Sequence, residues 1–298
     1  MIPDAPVAAR PQPLRLRPLQ VSELLDETFR IYRDNFLLFA GVALTLAVPS
    51  LVTDVLTGNY KTVGLLLAFF SNPNSFARQG QFGADVNPVF LVLSYLVIVL
   101  MLPFTVAANV QAAVDVATGR PTSLPAVLGR VLRRYFALCG VLILVALVGL
   151  LFVTCVLIPL VVWMLVRWSV AIPVMLVEGA GPVASLGRSR SLVRGHWWRL
   201  FAIFIVTYLL TAAVSAGITA LAVGLAALVP GLSADVRGGA ILIFATLSSA
   251  LIEPVFPIVM TLLYFDLRVR NEALDLDVLA RAAASPSPSM DAPGARGF

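Results

Sequence analysis

Long runs without charged residues constrain the fold of this chain more than any other feature. The run from Phe136 to Val177 carries a single charge, Arg167, in 42 residues. A straight helix over that run would be about 60 Å long, about twice the thickness of the hydrocarbon layer of a membrane. The run therefore predicts two antiparallel spanning helices that meet near Pro159.

The composition excludes an ordinary soluble domain. Apolar residues make up 59% of the chain and charged residues 12%, against about 25% charged residues in a typical soluble protein. The sequence predicts an all-α fold, a polytopic membrane helix bundle with six transmembrane helices. Long apolar runs place these spans at about 36–56, 88–110, 137–157, 160–177, 200–229 and 240–265.

The segments between the spans complete the predicted organisation. Residues 1–20 hold five prolines and three arginines and predict a flexible basic arm, residues 21–283 form the membrane domain, and residues 284–298 form a disordered tail. The six spans pair into three hairpins, each preceded by an amphipathic interfacial helix. A threefold repeat about the membrane normal would explain this pattern, and so would the usual placement of arginines and aromatics at interfaces.

The distribution of basic residues predicts the orientation. With the N-terminus inside, the inner segments hold 17 Arg and Lys residues and the outer loops hold 3, with Arg167 inside a span. Positively charged residues favour the cytoplasmic side. We expect a multi-pass protein of the cell (plasma or inner) membrane with both termini in the cytoplasm.

Catalytic residue sets are missing from the sequence. His196 is the only histidine, and the only lysine, Lys61, stands outside any Gly-rich phosphate loop. A Ser–His catalytic centre and a multi-histidine metal site are hard to build from these residues. We predict that the chain is not an enzyme and that it uses no cofactor or metal.

Two ionisable residues fall inside predicted spans. Arg167 in the fourth span and Glu253 in the sixth are predicted at similar depth. Because an unpaired charge in the membrane is costly, we expect the two to form an intramembrane ion pair. Such a pair would be purely structural or would line a polar path through the membrane.

Six arginines beside the spans are candidates for contacts with lipid headgroups, because the inner membrane surface is anionic. Their alternative role is to orient the spans without binding a ligand. The expected partners are anionic membrane lipids and a cytoplasmic protein docking on residues 266–298, with no nucleic acid. The six candidates are Arg130, Arg133, Arg134, Arg188, Arg190 and Arg194.

Three stretches also carry a family resemblance. They are Leu16-Arg17-Pro18-Leu19 with Glu23-Leu24-Leu25-Asp26, Glu178-Gly179 through Arg188-Ser189 to Arg194-Gly195, and Tyr264-Phe265-Asp266-Leu267-Arg268-Val269-Arg270-Asn271-Glu272. Over roughly residues 15–280 the chain resembles the membrane domain of prokaryotic glycerophosphoryl diester phosphodiesterases. The resemblance implies a stand-alone membrane part without the hydrolytic domain, and it transfers no catalytic residue.

Two functions are compatible with these features. The first is a non-catalytic scaffold or lipid-interacting subunit, favoured by the missing catalytic sets and the basic interfacial segments. The second is a transporter or carrier of a lipid-like or small substrate, which the in-span prolines and charges would suit. A continuous polar cavity reaching the middle of the membrane would favour the carrier.

Overall fold

The computed structural model describes residues 20–64, 88–149, 157–229 and 231–272 of the chain. All regular secondary structure within these ranges is helical, as the sequence predicts. The helices are α1 (Val21–Asp34), α2 (Phe36–Thr57), α3 (Pro88–Ala117), α4 (Leu124–Leu132), α5 (Tyr135–Gly149), α6 (Ile158–Trp168), α7 (Ala171–Glu178), α8 (Pro182–Val193), α9 (Trp197–Ala227), α10 (Ala234–Ile252) and α11 (Val255–Glu272).

Several of these helices are long and apolar enough to cross a membrane. Five helical stretches qualify by themselves, and α4 with α5 adds a sixth when that pair, bent by 71°, is taken as one span. By length and composition, these helices are consistent with a multi-pass membrane protein. The five are Phe36–Thr57, Val92–Ala117, Ile158–Glu178, Trp197–Ala227 and Ala234–Glu272.

The first span has its predicted bounds, and the second is longer than predicted. Helix α3 continues seven residues beyond the predicted end at 110 and closes at Gly119, whose φ of 68° lies in the left-handed region. The Arg120 amide donates to the Asp115 carbonyl at 2.8 Å, a bond that satisfies one of the last carbonyls of the helix.

Two predicted spans contain a helix break, although each remains one stretch long and apolar enough to cross a membrane. The sixth, predicted at 240–265, breaks at Glu253–Pro254 into α10 and α11, because Pro254 has no N–H to continue the helix. The fourth, predicted at 160–177, breaks after Trp168 into α6 and α7, and Pro159 lies in the first turn of α6. Residues 1–19, 65–87, 150–156, 230 and 273–298 lie outside the described residues, and with them the predicted basic arm and tail.

Side-chain burial is concentrated at one end of the bundle. The first half of α3 exposes Val92, Tyr95 and Val99, whereas the second half, from Ala107 to Val114, is buried. Helix α11 is buried along most of its length and packs against α1 and α3. This packed end carries the arginine-bearing helices α4 and α8. The exposed apolar side chains at the other end match a surface that faces lipid.

Candidate functional site

Three aromatic residues at helix junctions make equivalent hydrogen bonds. Each lies where a short surface helix meets a long apolar helix, and each donates to a backbone carbonyl of another long helix. The bonds run from Tyr32 Oη to Leu251 O at 2.5 Å, from Tyr135 Oη to Leu100 O at 2.7 Å, and from Trp197 Nε1 to Trp163 O at 3.2 Å.

The accepting residues share a second property. An acidic residue follows each of them by 15 positions, and each acidic residue pairs with arginine. The pairs are Asp115 with Arg130, Glu178 with Arg188, and Asp266 with both Arg199 and Arg270. The same spacing and the same contacts in three places are what a threefold repeat predicts.

The first of these acidic residues, Asp115, is completely buried. Arg130 binds it through both terminal nitrogens, Nη2 to Oδ2 at 2.6 Å and Nη1 to Oδ1 at 2.7 Å. Gln111 Nε2 donates at 3.0 Å and Thr122 Oγ1 at 3.3 Å. This bidentate pairing fixes α4 against the end of α3.

The second acidic residue, Glu178, belongs to a network that joins α7, α8 and α11. Arg188 Nε lies 3.1 Å from Glu178 Oε2, and Arg188 Nη2 also pairs with Glu272. Tyr264 Oη donates to Glu178 Oε1 at 3.0 Å, and Arg268 Nε lies 3.0 Å from Glu272 Oε2. Burial disfavours the charge on Arg188, but the Glu272 and Glu178 carboxylates outweigh burial and raise its pKa.

The third, Asp266, ties α11 to α9. Arg199 Nη1 lies 2.6 Å from Asp266 Oδ2, and Arg270 Nε lies 3.0 Å from the same oxygen. One residue farther, Asn271 Nδ2 donates to the Leu192 carbonyl at 2.8 Å. Much of the family resemblance lies in the run Tyr264–Glu272. The polar side chains of this run therefore make contacts within the protein.

This network bears on the predicted docking of a cytoplasmic protein on residues 266–298. The charged side chains of residues 266–272, the part of that segment which the structure describes, all pair within the chain. They offer few free charges to a partner. Residues 273–298, the rest of the predicted surface, lie outside the described residues.

Three of the six predicted headgroup arginines have polar partners within the protein, while a contact with lipid headgroups stays a prediction for all six. Arg130 and Arg188 pair with carboxylates, and Arg134 Nη1 donates to the Met175 carbonyl at 2.7 Å. Acceptors near the helix ends bind these guanidinium groups, and they range from the buried Asp115 to the partly exposed Glu178 side chain. The other three are exposed and form no ion pair with any described residue: Arg133, Arg190 and Arg194.

The predicted ion pair between Arg167 and Glu253 is wrong. The Arg167 guanidinium lies 4.2 Å from the centre of the Trp163 ring, whereas Glu253 Oε2 accepts from Asn109 Nδ2 at 3.1 Å. The break after Trp168 is the reason, because it lets α8 pack against both α6 and α7. Ser189 Oγ of α8 donates to the Arg167 carbonyl at 2.8 Å.

Arg167 therefore belongs to a group of arginines rather than to an ion pair. Arg190 and Arg194 lie close enough for their positive charges to act on Arg167. We call these three residues the basic cluster. Within the described ranges no carboxylate pairs with any of them.

Aromatic residues border the basic cluster. Trp163 stacks under Arg167 and accepts, through its carbonyl, the bond from Trp197, whose ring is stacked on Phe201 at 5.0 Å. Trp and Tyr side chains prefer the boundary between hydrocarbon and headgroups. Sequence reasoning missed this cluster, although the four-residue spacing of Trp163 and Arg167 predicts that both face the same side of a helix.

No group of three or more His, Cys, Asp or Glu side chains suited to a metal ion occurs in the part of the chain that the structure describes. The arrangement offers guanidinium groups and indole rings, which are suited to binding anions and interfacial groups. Comparisons of this chain with protein-family models, with curated proteins and with solved structures found no match.

Proposed function

We propose that this chain is a non-catalytic, lipid-interacting membrane protein whose basic cluster holds the phosphate of an anionic lipid headgroup. The observation that supports this most is the contrast among its arginines. Arg130, Arg188 and Arg199 have carboxylate partners, whereas the three arginines of the basic cluster have none among the described residues, and the charges of Arg190 and Arg194 act unfavourably on Arg167.

The electrostatics favour an anion at this place. Guanidinium charges that lie together are repulsive, and the repulsion is stronger beside a low-dielectric membrane than in water. A phosphate monoanion or diester between them replaces repulsion with charge-assisted hydrogen bonds, which Arg forms in a planar, bidentate geometry. Trp163 and Trp197 supply the ring surfaces expected at headgroup depth.

The topology that fits this function is the six-span arrangement. We propose three hairpins, α2 with α3, α5 with α6, and α9 with α10, each entered through the short helix before it. Both termini would then lie in the cytoplasm of a cell whose inner or plasma membrane holds the protein. The buried, arginine-bearing end of the bundle supports this orientation.

The family relationship is likewise a proposal. The polar run Tyr264–Glu272 supports a stand-alone member of the membrane-domain family of glycerophosphoryl diester phosphodiesterases, since its Tyr, Asp, Arg and Glu side chains all make polar contacts within the protein. A lipid-interacting role suits this network better than docking of a protein on residues 266–272, because those charges are already paired.

Lipid retention tests the proposal. The protein would be assembled in lipid discs of mixed zwitterionic and anionic phospholipids, released, and weighed by native mass spectrometry with its bound lipid. We expect anionic phospholipid on the wild-type chain and at least about tenfold less on Arg190→Gln/Arg194→Gln, since each charged hydrogen bond contributes about 1.5–3 kcal/mol.

The matched control removes two charges elsewhere. Arg33→Gln/Arg133→Gln neutralises two exposed arginines at other junctions, and it should retain as much anionic lipid as the wild type. Equal loss in both double variants would mean that only the net charge matters, and it would overturn a localised site.

A further inference from the structure

A second polar site lies among α3, α10 and α11, away from the basic cluster. Its centre is Asn109 of α3, which is completely buried, and Glu253 at the break between α10 and α11. Asn109 Nδ2 donates to Glu253 Oε2 at 3.1 Å. One turn earlier in α3, Thr105 Oγ1 lies 3.5 Å from Thr45 Oγ1 of α2, so this region of the bundle is polar beyond the pair itself.

Two oxygen atoms of this site have no hydrogen-bond donor. Asn109 Oδ1 and Glu253 Oε1 are both buried without a partner. They belong to adjoining planar groups, because the amide of one residue already binds the carboxyl of the other. An ionised carboxylate is only an acceptor, so an ionised Glu253 would leave both oxygens unsatisfied. Each unsatisfied buried polar group costs about 1–3 kcal/mol.

No cation within the described ranges compensates a charge on Glu253. Tyr32 of α1 donates to the carbonyl of Leu251, two residues before Glu253, and burial raises the pKa of Tyr32. Several charged groups on the helices packed around α10 and α11 are bonded to one another: Glu27 to Arg30, Arg33 to Asp34, Asp54 to Asn59, Asp115 to Arg130, Glu178 to Arg188, and Asp266 to Arg199. Arg190 of α8 has no carboxylate partner among the described residues, and it forms no ion pair with Glu253. Asp235 and Arg237 lie in the first turn of α10, more than 15 residues before Glu253.

We infer that Glu253 and Asn109 form a proton-binding site within the membrane part of the bundle. The Glu253 carboxylate takes one proton from water to become a neutral carboxylic acid. Its new O–H at Oε1 donates to Asn109 Oδ1, while Asn109 Nδ2 continues to donate to Oε2. One bound proton thus satisfies both oxygens and removes the uncompensated charge.

Proton binding at this site is also expected to affect the packing of the helices around it. The acid–amide pair joins α3 to the break after α10, where Glu253 precedes Pro254. A bound proton adds a hydrogen bond across this contact, and its release leaves a bare carboxylate between packed helices. Proton uptake is therefore expected to tighten the packing of α11 against α3.

Infrared spectroscopy of the full chain in lipid discs tests the inference directly. At neutral pH the wild type should show the carbonyl stretch of a buried protonated carboxylic acid. The band should be missing in Glu253→Gln, and it should shift in Asn109→Leu, which keeps the acid but removes its hydrogen-bond partner. Asp54→Asn is the matched control. Asp54 lies near the C-terminal end of α2 and accepts a hydrogen bond from Asn59, so this variant should keep the band.

Two results would overturn the inference. One is a wild-type spectrum at neutral pH that lacks the acid band and shows a carboxylate signal that Asn109→Leu shifts. The other is a metal cation in place of the proton, seen as a rise in thermal stability with Na⁺ over choline that Glu253→Gln abolishes. Should Glu253→Gln fail to fold, the wild type and Asn109→Leu still decide between the acid and the carboxylate.

Discussion

The Tyr135 hydroxyl donates to the Leu100 carbonyl at 2.7 Å, across 35 residues of sequence. The same relationship links Trp197 to Trp163 and Tyr32 to Leu251. Each aromatic lies at the entry to one proposed hairpin and binds the second helix of another, so the three bonds run from α5 to α3, from α9 to α6 and from the end of α1 to α10. The bonds therefore close a ring that connects the beginning of the chain to its end.

Loss of one of these three hydrogen bonds should lower the free energy of unfolding by a small but measurable amount. Tyr135→Phe removes the hydroxyl and leaves the ring, so we expect a loss of about 0.5–1.5 kcal/mol in the free energy of unfolding. Tyr208→Phe is the control, since Tyr208 is 63% exposed. Thermal unfolding in a mild detergent measures both. Equal stability of the two variants would contradict a structural role for the bond.

A larger loss of stability is expected when Asp115 loses its partner, because Asp115 is completely buried. Arg130→Met leaves its carboxylate without a cation, and we expect a loss of about 3–5 kcal/mol or failure to fold. The double variant Arg130→Met/Asp115→Leu removes both charges and should recover most of that stability. Arg133→Met, at an exposed position on the same junction, should unfold like the wild type. No recovery in the double variant would show that packing, rather than charge pairing, fixes α4.

Substitution of two arginines on α8, Arg188 and Arg190, should affect the stability of the protein differently. Arg188→Met breaks the contacts with Glu178 and Glu272, and we expect a loss of about 1–3 kcal/mol, at the lower end because the side chains are partly exposed. Arg190→Met relieves repulsion in the basic cluster, so without anionic lipid it should unfold at the same or a higher temperature. A lower unfolding temperature for Arg190→Met than for Arg188→Met would be inconsistent with this assignment of charges.

Adjacent glycines on α10 provide a matched test of close packing. A Cβ on Gly238 would meet the Tyr60 carbonyl oxygen at 2.1 Å and the Gly64 nitrogen at 2.7 Å, whereas a Cβ on Gly239 meets nothing within 4 Å. Gly238→Ala should therefore cost about 1–3 kcal/mol through overpacking. Gly239→Ala should be neutral or slightly stabilising, since alanine favours a helix. Indistinguishable melting curves would rule out the contact between residues 59–64 and α10.

The sequence was most informative about the long apolar helices. Hydrophobic length alone placed α2 within one residue of its observed bounds, 36–56 against Phe36–Thr57. Periodicity could not show that α6 and α10 break, because a proline inside an apolar run is compatible with a kinked helix as well as with two helices.

Pairing of charges was the least predictable feature. Arg167 and Glu253 were expected to pair because both fall in apolar runs, but the break after Trp168 brings Arg167 to α8 and its arginines. Likewise, only the tertiary structure distinguishes Arg188, which binds two carboxylates, from Arg190, which binds none. Sequence separation carries little information about which charges meet across helices.

The most direct test of a localised lipid site is thermal unfolding in discs of zwitterionic lipid, before and after anionic phospholipid is added. A ligand that binds only the folded state at a hundredfold excess over its Kd contributes about 2.7 kcal/mol. Anionic lipid should therefore raise the Tm of the wild type and of Arg33→Gln/Arg133→Gln, and leave that of Arg190→Gln/Arg194→Gln unchanged. An equal rise in all three proteins, or no rise in the wild type, would contradict a phosphate site at the basic cluster.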